Sequence, residues 1–154
     1  MRDLIKIIRI PYEEPDYLQL QVMASNGRQA AEIEIYVRTS DLVEIAAALE
    51  AFPRGPSDEF VYELGSEKEE DNWAFYFKFH VFADARGYCA MHFRFNNNRD
   101  ILYRELAEFC IQSEAAQINR LAKMLRSFAK LEHETLIWSP MGGRLLAPGE
   151  ADCD

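Results

Sequence analysis

The chain has 154 residues, 49% of them hydrophobic and 28% charged, which suits one globular domain able to bury a full core without staples. A formal net charge of −9 argues against nucleic acid as a partner, because phosphate binding wants a basic stripe. No apolar run approaches the roughly 18 residues of a membrane helix, and Met1-Arg2-Asp3-Leu4 lacks a signal peptide's long apolar region, so no membrane partner and a cytoplasmic location are expected.

The charge is unevenly placed: residues 1–77 carry 7 basic and 16 acidic side chains, whereas residues 78–154 carry 10 of each. Such asymmetry suits a basic protein partner, set against the plainer account that acidity keeps the chain soluble. Cys89, Cys110 and Cys153 make an odd count with no C-x-x-C spacing. Reduced thiols are therefore expected, rather than a disulfide framework or a zinc site.

In chain order, Leu4 to Ile10 is short, rich in β-branched residues and stopped by Pro11 and Pro15, as a first strand would be. Tyr17 to Ala24 and Ala31 to Val37 alternate on either side of Ser25-Asn26-Gly27-Arg28, and the Asn-Gly pair favours a tight hairpin. Ser40 stands where period two gives way to period 3.6, so it is expected to cap a helix running to about Ala51, before Pro53 and Pro56. Asp58 to Leu64 predicts another strand, and Gly65 to Asn72 an exposed acidic loop.

The most regular stretch is Trp73 to Phe95. Trp73, Phe75, Phe77, Phe79 and Val81 fall on one face, as do Cys89, Met91, Phe93 and Phe95 after the turn at Asp84 to Gly87. Both apolar sets are odd-numbered, so partners across this hairpin must sum to an even number. Asn96 to Asp100 predicts a loop, Tyr103 to Gln112 a strand, and Ser113 the cap of a second helix from Glu114 to about Leu131. Leu136-Ile137-Trp138 predicts a short last strand. The expected fold is α+β: one domain over residues 1–138, with a curved antiparallel sheet of about six to seven strands, two helices on one face, an internal hairpin-plus-helix repeat, and a loop or tail over 139–154.

The even-numbered face of the central hairpin carries Tyr76, Lys78, His80, His92 and Arg94. Two imidazoles there could bind a metal or pass a proton, but no carboxylate accompanies them on those strands, and a solvated face explains them as well. No catalytic residue, metal ligand set or cofactor motif emerges: the acidic loop lacks the glycine and spacing of a calcium site, Gly142-Gly143-Arg144 lacks a phosphate-loop signature, and no histidine serves Ser40 or Ser113. The expected partner contacts are the acidic side chains Glu63, Glu67, Glu69, Glu70 and Asp71, with Glu32 and Glu34.

The segments Ile35-x-Val37-x-Thr39-Ser40-Asp41-Leu42 with Leu49-x-x-Phe52-Pro53, and Phe109-x-Ile111 with Ser113-Glu114 and Ile118-x-x-Leu121-x-x-x-Leu125-x-x-Phe128, resemble immunity proteins of bacterial polymorphic toxin systems. The likeness is to the wall-associated-toxin immunity family and related domains of unknown function, and spans roughly residues 16 to 131. It implies a non-enzymatic binder that occludes a cognate toxin, with acidity complementing a basic nuclease. The alternatives are a small acidic secretion chaperone, whose family is a dimer opening with a helix, and a ligand-binding domain using the polar sheet face. Pairing of two copies of the chain also stays open.

Overall fold

The structure, a computed structural model, describes residues 2–152. Met1, Cys153 and Asp154 lie outside the described residues, and so does the reading of Cys153 as a tail thiol. The strands β1 (Asp3–Ile10), β2 (Tyr17–Asn26) and β3 (Ala30–Arg38) form a meander that leads into α1 (Thr39–Leu49). A second meander of β4 (Glu59–Gly65), β5 (Tyr76–Ala83), β6 (Cys89–Asn96) and β7 (Leu106–Ser113) leads into α2 (Ala115–Phe128). Then β8 (Thr135–Ser139) and β9 (Gly142–Leu146) follow. The fold is α+β, and antiparallel strands followed by a helix occur twice. Neither helix is long and apolar enough to cross a membrane.

There are two sheets where one was expected. The first has the order β3-β2-β1-β8-β9 and the second β4-β5-β6-β7, so the described strands number nine rather than six or seven. Period two says which face of a strand is buried but not which strand lies beside it. The free side of β1 is taken by β8, through pairs such as Ile5↔Trp138 and Ile7↔Leu136, which no local pattern announces. The segment from Ser139 onward, read as loop and tail, instead folds back as β9, with Leu136↔Leu145 and Thr135↔Leu146 in register.

The central hairpin keeps its expected parity: Phe77↔Phe95, Phe79↔Phe93 and Val81↔Met91 face one another. Gly87 takes φ +88° in the turn, where the Asp84 carboxylate accepts the amides of Arg86 at 2.9 Å and Tyr88 at 3.0 Å. Phe77, Phe79, Met91 and Phe93 are buried, and side chains of both sheets and both helices line a small apolar cavity of about 50 Å³ beside Phe77, Phe79 and Phe93. The helices also bind each other directly: the Asn119 amide on α2 donates to the carbonyls of Leu49 at 2.9 Å and Phe52 at 3.0 Å, satisfying the open end of α1.

Three local expectations change. Trp73 to Phe75 is not strand, because the positive φ of Asn72 and the bond from the Asn98 side chain to the Trp73 carbonyl at 3.1 Å hold that segment in the loop. Likewise β7 begins at Leu106 rather than Tyr103, after a turn in which the Tyr103 amide donates to the Asp100 carbonyl at 2.8 Å. Neither serine caps its helix. Ser40 lies inside the first turn of α1, where Asp41 accepts the Arg38 amide at 3.3 Å, and Ser113 ends β7, leaving Gln117 to accept the Glu114 amide at 2.8 Å.

Candidate functional site

The outward face of the second sheet is the polar surface that the even-numbered residues predict. Register places Val61, His80, His92 and Cys110 in one row across it, and Glu63, Lys78, Arg94 and Glu108 in the next. The two imidazole rings are 6.1 Å apart, nearly perpendicular, and each has its own carboxylate: His80 Nε2 lies 2.9 Å from Glu59 Oε2, and His92 Nε2 lies 2.8 Å from Glu108 Oε2. Arg94 bridges two acids, with Nη1 3.3 Å from Glu108 Oε1 and Nη2 2.9 Å from Glu67 Oε2. Tyr76 donates its hydroxyl to Glu63.

These contacts shift the charges in a consistent direction. Partial burial disfavours the Glu67 carboxylate, but hydrogen bonds from Arg94 and from Asn96, at 2.6 Å, outweigh it and hold its carboxyl below the usual range. The hydrogen bond to Glu67 raises Arg94 further, and burial together with the bond to Glu63 pushes the Tyr76 hydroxyl up, so it stays a donor. Each carboxylate on this face is engaged, Glu67 and Glu108 by Arg94, Glu63 by Tyr76, and Glu59 and Glu108 by the two imidazoles.

The acidic set expected to meet a partner is divided by the fold. Glu63 and Glu67 belong to the polar face just described, where Tyr76 and Arg94 bind them. Glu69, Glu70 and Asp71 form a single 3-10 turn, anchored where the Ser66 hydroxyl donates to Asp71 at 2.6 Å. Glu69 and Glu70 are exposed on it. Glu32 and Glu34 lie on the other sheet, on β3, accepting from Gln21 at 3.1 Å and Gln19 at 3.3 Å. The carboxylates are therefore divided between the two sheets, and Glu32 lines a groove with Asn96, Arg104 and Glu105 from the end of the second sheet.

Sequence reasoning missed Glu59 and Glu108, the partners of the histidines. They sit on the flanking strands β4 and β7, each two residues along from the position opposite its histidine, because Val61 pairs with His80 and Cys110 with His92, so the carboxylates reach the imidazoles diagonally. Among the described residues no three of His, Cys, Asp and Glu converge to hold a metal ion. No family model, curated protein or solved structure matches the chain. The site's meaning rests on its own geometry: a sheet face whose carboxylates are each held by a neighbouring side chain, bordered at one end by a turn whose Glu69 and Glu70 are exposed.

Proposed function

We propose that the chain is a cytoplasmic, non-enzymatic protein-binding domain that docks a basic protein, in the manner of an immunity protein occluding its toxin. The observation that supports this reading most is the contrast between Glu67, bound to Arg94 and Asn96, and Glu69 and Glu70, which point into solvent from an anchored turn two and three residues later. A net charge of −9 with its uncompensated acids displayed on a held turn raises the rate at which a basic surface arrives, and makes that rate fall with salt.

The test starts with capture of a partner from the native host and identification of its gene neighbourhood. A toxin gene next door favours immunity and a secreted effector next door favours a chaperone. Association rates with the captured partner are then measured for the wild-type chain and for Glu69→Lys with Glu70→Lys, at low and high salt. The expected result is a slower, less salt-sensitive association for the variant. Unchanged rates would remove the acidic turn from the interface.

A further inference from the structure

Where β7 gives way to α2, a depression of about 540 Å³ opens between the ends of the two sheets. The start of β1 supplies Asp3, the β5–β6 turn Tyr88, the β8–β9 turn Pro140, and the junction itself Ser113, Glu114 and Ala115. A concavity of that size suits a small molecule or the end of a peptide.

Ser113 decides what the depression can hold. As the last residue of β7 it turns to the buried side of the sheet with Phe109 and Ile111, opposite Cys89 in register, and is only 6% exposed. Its hydroxyl has no hydrogen-bond partner among the described residues, and a buried hydroxyl without one costs stability. The first turn of α2 adds donors beside it. The amide of Glu114 is taken by the Gln117 side chain at 2.8 Å, and those of Gln117 and Ile118 by the Glu114 carbonyl at 3.0 Å and 3.2 Å. The amides of Ala115 and Ala116 come too early in the helix to reach an intrahelical carbonyl, so they stay open. A hydroxyl and two amides within four consecutive residues call for an oxygen acceptor.

The rest of the lining says what carries that oxygen. Among the described residues, Asp3 and Glu114 line the depression and no lysine, arginine or histidine does. A phosphate or sulfate at this helix terminus would meet two like charges with no cation to offset them. An oxygen on a molecule that also bears an ammonium satisfies the donors and the carboxylates together. The exposed Tyr88 ring, with the Arg86 guanidinium 5.1 Å over one face, offers a wall to an apolar side chain.

We propose that the depression binds an α-amino carbonyl group, its oxygen accepting from the Ser113 hydroxyl and the amides of Ala115 and Ala116 and its ammonium donating to Asp3 and Glu114. A free amino acid and the amino terminus of a peptide carry this same chemistry. The site lies at the opposite end of the second sheet from the acidic turn, and stands independently of the protein-binding reading above.

The test follows the amide resonances of the isotope-labelled full chain while leucinamide, N-acetyl-leucinamide, leucine and a Leu-Ala-Ala peptide are added in turn. Expected is saturable binding of leucinamide that shifts the Ala115 and Ala116 amides, with the acetylated compound about tenfold weaker or worse for want of an ammonium. Ser113→Ala is expected to weaken leucinamide about tenfold while melting no lower than wild type, because its hydroxyl has no partner within the fold to lose. Asp3→Asn should weaken it similarly, and replaces Ser113→Ala should the latter alter the circular dichroism. Tighter binding of the peptide than of leucine assigns the site to peptide termini, and the reverse assigns it to free amino acids. No saturable shift at the start of α2 with any of the four ligands overturns the proposal, as does equal binding of the acetylated compound. So does a Ser113→Ala chain that melts lower yet binds leucinamide as wild type does, because the hydroxyl then serves the fold alone.

Discussion

Glu67 and Arg94 meet across the end of the second sheet, with Arg94 Nη2 2.9 Å from Glu67 Oε2, although one lies in the acidic loop and the other on β6. The pair joins the loop to the polar face and removes Glu67 from the carboxylates available to a partner. It also ties stability to pH. The fold holds the Glu67 carboxyl below its usual range, so the contribution is complete above the ordinary carboxylate range and is lost as pH falls through the folded value. Glu67→Gln is expected to be less stable than wild type near neutrality, with a gap that closes in strong acid. Urea midpoints across pH check this, and a constant gap would contradict it.

Phe79 is buried against Phe93, their ring centroids 5.2 Å apart. Phe79→Ala is expected to cost about 3–5 kcal/mol in a denaturant titration, because the surrounding strands and helices cannot fully collapse into the space. Tyr88→Ala, at an exposed position beside the hairpin turn, should stay within about 0.5 kcal/mol. Similar losses at both positions would mean that the odd-numbered face is not the buried one.

Gly65 takes φ +83°, and a Cβ there would lie 2.0 Å from the backbone oxygen of Phe75. Both the left-handed conformation and the contact oppose any side chain. Gly65→Ala is expected to lower stability by about 2 kcal/mol or more, seen as a lower melting temperature. An unchanged melting curve would show that the start of the acidic loop can rearrange freely.

His80 and His92 are each already engaged by a separate glutamate, which leaves no shared third ligand between them. Zinc added to the purified chain is expected to leave the melting temperature unchanged, and elemental analysis is expected to find no near-stoichiometric metal that disappears with His80→Ala and His92→Ala. Stoichiometric zinc lost on those changes would reverse this assignment.

What could be read from the chain follows from how local each feature is. The β5–β6 hairpin is legible because its alternation, its parity and its Asp84-to-Gly87 turn all lie within one stretch. The division into two sheets depends on β1 choosing β8, and alternation in Leu4 to Ile10 carries no information about that choice. The polar face was legible as Tyr76, Lys78, His80, His92 and Arg94, but the partners of its imidazoles are Glu59 and Glu108, which come from separate strands. Alternation starts the following strand at Tyr103 and says nothing of Ile101 and Leu102, whereas the structure keeps all three in the connection before Leu106. Only the side-chain bonds of Asn97 and Asn98 turn that connection outward.

The β1–β8 pairing also bears on how the molecule is made. Arg9, at the end of β1, grips the carbonyl of His133 at 3.0 Å, a partner 124 positions further along the chain, while the same guanidinium holds Glu14 at 2.7 Å. During synthesis from the amino end, β1, β2 and β3 can pair as soon as they emerge, but the second edge of β1 waits for β8. For most of translation the nascent chain therefore presents an unpaired, β-branched strand edge, the kind of surface that recruits neighbouring chains or holding chaperones. Release of a soluble product should depend on the arrival of residues 135–146, and ribosome-stalled chains ending before β8 should be markedly more prone to aggregate than chains ending after β9.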